Sequence, residues 1–426
     1  MNPRSIKKLS AEGSWVFVGQ LLVVVSSLVL VRLLTEHLSE QEYGNFTLGL
    51  TLAGLVNQTI TGGVAAGMRR FYSVASESDA LPEYHQAKDK LNLKASLMIS
   101  SLIIPAAILF GIDGIQQHAL LIIFVISYAA LNSVFTISNS YYVASRKRRF
   151  SAINLVIDAW LRVSLGVAAV WAFPKTAESV FLGYLVASAI VCLLHVILNN
   201  SIKRNYRDSG ENYFRIYREI QNYSMPFAIW GVFAWLQQSV DKWSLSYFHS
   251  VESTGSYAVL YQLGYSPMLM FCGLITSFLA PIIFQKAGSG SDQERMKSTQ
   301  DLIYKLTILG FGTVIAGFFF TVAFGDILIK IFVSDTFSVE KNYLHWLVLA
   351  GGLFSIGQLI TLRLVSELNS KKLIPLKIGS SLLGVIYTVG LAKWYGVGGV
   401  VLSANLFGLT YLVWALMLIR KLNRNS

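Results

Sequence analysis

Apolar stretches long enough to cross a bilayer recur from one end of the chain to the other, separated by short polar turns. A spanning helix needs about 20 predominantly apolar residues. Twelve stretches meet that length: 13–34, 44–67, 91–111, 118–143, 151–173, 178–199, 223–248, 256–284, 302–325, 342–365, 373–392 and 396–419. Pro105, Pro267 and Pro281 fall inside them, which membrane helices tolerate because neighbours satisfy the freed backbone groups. The pattern predicts an all-α polytopic membrane protein with twelve transmembrane helices.

The polar positions between the runs are not evenly charged. Alternate turns, with both chain ends, carry 27 of the 35 Lys and Arg residues, among them Arg69 and Arg70, Lys88, Lys90 and Lys94, and the RKRR run at 146–149. The opposite turns and adjoining run ends hold Arg32, Lys175, Lys242, Lys330, Lys341 and Lys393. Positive charge marks the cytoplasmic side, so both termini are expected in the cytoplasm. The longest polar stretch, Asn199 to Asn222, joins six runs to six. Its Tyr213, Phe214, Ile216 and Tyr217 interleave with Arg215, Arg218 and Glu219, which suits an amphipathic helix at the interface as well as a plain linker. The expected division is a lobe over 1–199, a cytoplasmic linker over 200–222 and a lobe over 223–426.

The two lobes read as repeats. EYGNFTL at 42–48 opens the second run and STGSYAV at 253–259 opens the eighth. FLGYLVASA (181–189) has a counterpart in GGVVLSANL (398–406). With six helices each, both lobes start on the same side, so they are parallel repeats related by a pseudo-two-fold axis along the membrane normal. Laying Gly44 on Gly255 brings Arg32 within one residue of Lys242.

Composition agrees with the runs. The chain is 54% hydrophobic with 14% charged residues and a mean hydropathy of +0.54, against about 25% charged in soluble proteins. The net charge of +12 follows from the basic turns and does not call for nucleic acid. The basic start MNPRSIKKLSAEG precedes a run long enough to span, with no small-residue cleavage site, so no cleavable signal is expected. Cys192 and Cys272 lie in separate apolar runs, which gives no disulfide framework, and the six His residues have no ligand spacing. No Walker loop, HExxH motif or paired carboxylates in an exposed segment appear, so no enzyme, no cofactor and no metal site is expected. The short turns leave no room for a nucleotide-binding domain.

The candidate chemistry is therefore in ionisable residues at membrane depth, which are expensive there and face a cavity or a partner. Asp158 and Arg162, four apart in the fifth run, share one helix face. Their readings are a structural ion pair or a cavity cation whose charge is balanced until an anion arrives. Arg32 and Lys242 end or approach the outer ends of the first and seventh runs, where snorkelling is the plain alternative. Their matching repeat positions point to a shared anion site in a central cleft. Asp241 beside Lys242 is a charge partner or a proton site. Arg69 and Arg70, and Arg363 four residues before Glu367, sit at the cytoplasmic side as topology markers or as points of substrate access.

These residues carry a resemblance. LSEQEYGNFTLGLTLAGL (38–55), Asp241-Lys242 followed by STGSYAV (253–259), LAPIIF (279–284) and YGVGGVVLSANLFG (395–408) are similar to polysaccharide exporters of the Wzx flippase type. That type belongs to the multidrug/oligosaccharidyl-lipid/polysaccharide exporter superfamily. Its members often have Asp-Arg where this chain has Asp241-Lys242. The resemblance implies a two-lobe protein of the bacterial inner membrane that moves an undecaprenyl-diphosphate-linked oligosaccharide to the outer leaflet by alternating access. Its implied partners are that substrate, the bilayer and other polysaccharide assembly proteins, with no nucleic acid. The residues do not specify the driving force; a proton or sodium gradient would serve. A cation-coupled drug antiporter of the same superfamily is the nearest rival, although Asp158 is faced by Arg162 and the first run has no acidic residue. A polysaccharide polymerase or ligase would call for a long outer loop, which is absent.

Overall fold

In the computed structural model the described residues of the apolar runs are helical apart from short breaks. The structure describes residues 3–110, 116–200, 210–287, 293–337, 340–366 and 373–425. Among these there is no strand. The helices are α1 Pro3–His37, α2 Glu40–Val56, α3 Gly62–Glu77, α4 Leu81–Ser100, α5 Ile103–Phe110, α6 Gln116–Ala144, α7 Arg148–Ala172 and α8 Ala177–Asn200. They continue with α9 Gly210–Phe248, α10 Val251–Leu263, α11 Tyr265–Ala287, α12 Gln293–Phe332, α13 Leu344–Ser366 and α14 Leu373–Asn425. Eight helical segments among the described residues are long and apolar enough to cross a membrane.

Local chemistry explains the breaks. Pro105 has no N–H to give the Ser101 carbonyl; α4 ends at Ser100 and α5 starts afresh at Ile103. A single π turn, Asn57–Thr61, joins α2 to α3. α14 contains the last two apolar runs and reverses at Gly396, where φ is 54° and ψ −132°. Only glycine reaches that region without strain. His249 Nε2 donates to the Ala392 carbonyl beside the turn at 2.7 Å. Part of the predicted linker, 201–209, lies outside the described residues, as does Glu367. From Gly210 the chain is helical through Phe248, and Tyr213, Ile216 and Ile220 are buried in a core with Met68, Tyr84, Leu91 and Ile137.

The chain forms two compact units. The first comprises Met1–Leu30 and Asn45–Trp235, the second Val31–Gly44 and Leu236–Ser426. Helices α1 and α9 are each shared, the C-terminal end of α1 counting with the second unit. Within that second unit the two turns aligned in the sequence meet. A Cβ on Gly44 would lie 2.1 Å from the Val251 carbonyl oxygen, and one on Gly255 would lie 2.1 Å from that of Glu40. Each glycine thus faces the carbonyl four residues before the other. That reciprocity is what a local two-fold relation between the turns produces, and absence of a side chain permits so close a helix approach. Ser256 Oγ also donates to Glu40 Oε2 at 2.8 Å.

Candidate functional site

Among the described residues, each unit holds a buried carboxylate paired with a cation of its own helix. In the first unit Asp158 and Arg162 occupy successive turns of α7, so the guanidinium reaches back one turn to Asp158 Oδ2. Arg162 Nη1 donates to the Tyr128 hydroxyl of α6 at 2.9 Å, and its guanidinium lies 5.9 Å from the Tyr184 ring of α8. Asp158 is 1% exposed, while the Arg162 side chain is 28% exposed. Asp158 Oδ1 is buried with no hydrogen-bond partner. The cation thus keeps an exposed face, and the carboxylate keeps one unused acceptor that is itself buried.

The second unit closes its pair. Lys242 Nζ donates to Asp241 Oδ2 at 2.8 Å and to the Gln238 carbonyl at 3.3 Å. Tyr257 donates its hydroxyl to the same Oδ2 at 2.8 Å, and Asp241 Oδ1 accepts the Lys242 backbone N–H at 2.8 Å. The ammonium sits 3.9 Å from the Tyr261 ring centroid, and Tyr265 stacks on Tyr261 at 4.7 Å. Cation–π attraction strengthens when the cation is desolvated, so Lys242 is held by charge, hydrogen bonds and ring faces together. Its side chain is 8% exposed.

Arg32 is held differently. Its Nη1 donates to the Val333 carbonyl at 2.6 Å and lies 3.5 Å from that of Lys330, at the end of α12. A cation there satisfies carbonyls left without intrahelical partners and complements the helix dipole. Thr35 Oγ1 of the next turn accepts the Ser334 N–H at 3.1 Å. Among the described residues Arg32 and Lys242 share no hydrogen-bond partner. Arg69 Nη1 donates to Ser140 Oγ at 3.1 Å, Arg70 is exposed, and Arg363 is half-buried in the last turn of α13.

Lys88 falls among the basic turn charges in the sequence but is 3% exposed in α4. Its Nζ lies 3.0 Å from Asp89 Oδ1 and 5.5 Å from the Tyr141 ring centroid. The signal was available: Tyr84, Ala87, Lys88, Leu91, Asn92 and Ala95 form one inward stripe at helical spacing, all buried. α4 begins ten residues before the apolar run at 91–111, and the stripe begins with it.

A family described as "Polysaccharide biosynthesis protein" matches residues 9–287. No curated protein matches the chain in sequence. Solved structures match over nearly its whole length. A multidrug resistance MATE family transporter of the MOP superfamily, inward-facing, is 15% identical, with 95% of this chain and 96% of that one covered and a TM-score of 0.73. The lipid II flippase MurJ, inward closed, is 14% identical, with 96% and 87% covered and a TM-score of 0.73. A MOP superfamily transporter from Pyrococcus furiosus is 16% identical, with 98% and 96% covered and a TM-score of 0.64. At such identities the likeness is one of fold.

Proposed function

The chain belongs to the polysaccharide biosynthesis protein family, and on that premise we propose that it is a Wzx-type flippase. It moves an undecaprenyl-diphosphate-linked oligosaccharide from the cytoplasmic to the outer leaflet of the bacterial inner membrane, for surface polysaccharide such as O-antigen, capsule or exopolysaccharide. The twelve helical runs are read as twelve crossings with both termini cytoplasmic. A phosphatase reporter fused near Ser253 is then active and one near Asn205 silent; activity at Asn205 would overturn this orientation.

The observation that carries the reading is the part-exposed Arg162 beside a buried Asp158. A single cation at mid-membrane is costly, about 2.5–3.5 kcal/mol on insertion scales. Asp158 offsets that charge while the site is empty. A diphosphate offers Arg162 charge-assisted, fork-shaped hydrogen bonds stronger than neutral ones. Tyr128 keeps the guanidinium aimed during the exchange. Arg32 and Lys242 join the headgroup only when it replaces the Val333 carbonyl and Asp241 as their partner. Arg69, Arg70 and Arg363 receive the anion at the cytoplasmic face. Alternating access, driven by a proton or sodium gradient, completes the cycle.

The decisive experiment is deletion of the gene followed by lipid extraction. Lipid-linked repeat units should accumulate and be absent from the outer leaflet, with both defects reversed by the intact gene. Normal export in the deletion strain sinks the proposal, and drug sensitivity without lipid accumulation selects the antiporter instead.

A further inference from the structure

A second cationic centre lies in the first unit, far from Arg162. Three cations from three segments converge on the Ser140–Tyr141 step of α6. Arg69 of α3 donates to Ser140 Oγ at 3.1 Å. Lys88 of α4 and Lys147 of the α6–α7 turn place their ammonium groups 5.5 and 5.9 Å from the centroid of one ring, Tyr141. Lys147 and Arg162 are separated by four turns of α7, or about 20 Å at a rise of roughly 1.5 Å per residue.

Marking the cytoplasmic side requires only wet lysines, and Lys88 is not wet. Burying an ammonium is unfavourable unless it is paired; Asp89 at 3.0 Å supplies one negative charge, and that side chain is itself 37% exposed. The turn that aims Lys147 is also built at a cost. Ser145 N donates to the Tyr141 carbonyl at 2.9 Å and Lys147 N to that of Tyr142 at 2.9 Å, which forces Arg146 to a φ of 56°. Glycine would occupy that position without strain, yet the chain places a fourth cation there.

Unused acceptors lie beside the cations. Asn92, one turn along α4 from Lys88, is 9% exposed, and its Oδ1 has no partner. His195 of α8 stacks on Tyr142 at 5.8 Å and is 6% exposed, with Nδ1 unpartnered. Asn139, three residues before Tyr142 on α6, has a buried Oδ1 in the same condition. Cations beside hydroxyl-accepting groups and ring faces suit one chemistry: a phosphate carrying a hydroxylated head.

We propose that Arg69, Lys88 and Lys147 around Tyr141 form a binding site for a lipid-borne phosphate headgroup at the cytoplasmic end of the first unit. The headgroup comes from an anionic phospholipid such as phosphatidylglycerol or from the isoprenyl diphosphate of the substrate. Only the second source rests on the flippase reading.

Native mass spectrometry of the full-length purified protein tests this, with phosphatidylglycerol, phosphatidylcholine and geranylgeranyl diphosphate titrated separately. Phosphatidylglycerol or the diphosphate should bind at least tenfold more tightly than phosphatidylcholine. Lys147→Gln, at an exposed turn position, should weaken that binding about fivefold, the usual factor for one basic group near a headgroup. Lys88→Gln should weaken it as much or more. Lys94→Gln removes the same charge from the same helix but at Tyr217, 6.0 Å from that ring, and should change binding less than twofold. Preference for phosphatidylglycerol assigns a phospholipid site; preference for the diphosphate assigns substrate loading. Equal loss in Lys147→Gln and Lys94→Gln, or equal binding of phosphatidylcholine, overturns the site. Neither outcome bears on export measured in cells, so failure here is distinct from failure of the flippase reading.

Discussion

The two buried ion pairs use the same charges in opposite ways. Asp158–Arg162 leaves a guanidinium part exposed and one carboxylate oxygen unused. Asp241–Lys242 spends both carboxylate oxygens and covers its ammonium with Tyr261. Spacing contributes to the difference. Four residues along a helix set two side chains one above the other, whereas adjacent residues point apart, so Lys242 folds back and needs partners from α10 to hold it there. Both pairs draw on neighbouring helices, so what separates them is cover: a pair whose carboxylate oxygens and cation are all engaged must break several contacts to take a ligand, whereas one with a part-exposed cation breaks fewer.

The largest expected effect is at the open pair. Arg162→Ala should lower surface polysaccharide about 10- to 100-fold at equal protein abundance, the range for losing a hydrogen bond to a charged group. Arg363→Ala should stay within about twofold, because a half-buried cation in the last turn of its helix can extend to water. Normal export by Arg162→Ala would erase the functional half of the comparison. If abundance falls instead, Asp158→Asn combined with Arg162→Leu should restore abundance without export.

The closed pair should show its effect in stability. Asp241→Asn leaves Lys242 buried beside a neutral group and should destabilise the purified protein by about 3–5 kcal/mol. Adding Lys242→Met should recover most of that in thermal unfolding. An unchanged unfolding temperature in the single variant would show that the tyrosines alone hold the lysine.

At the helix crossing, Gly255→Ala should destabilise by about 1–3 kcal/mol, as overpacking does, and Gly44→Ala by a similar amount. A large effect at one and none at the other would break the reciprocity between the two turns.

The smallest effect discriminates most finely. In thermal unfolding, Arg32→Ala and Lys242→Ala should add within about 0.3–0.5 kcal/mol, because they share no partner in this structure. In export they should couple by at least about 0.5 kcal/mol, as residues contacting one substrate group do. Losses in export that simply multiply would make both residues anchors only.

The periodic features of this protein were legible in its sequence. The described parts of the apolar runs are helical because the bilayer demands satisfied backbone groups over a fixed length. Asp158 and Arg162 met because helical spacing is local, and Gly44 and Gly255 could be aligned because the repeats kept their turns. Partner identity was not legible. Arg32 caps α12 some 300 residues away, at Val333, and no local pattern announces which carbonyls a guanidinium will find. Lys88 counted as a cytoplasmic marker until α6 covered it with Tyr141. Lys242 reads in the sequence as an anion-binding cation with Asp241 for a charge partner; α10 adds Tyr257 and Tyr261 to that pair. Periodicity fixes which face a residue occupies, but whether a charge on that face is open or closed depends on the helices packed against it, and only the tertiary structure supplies those.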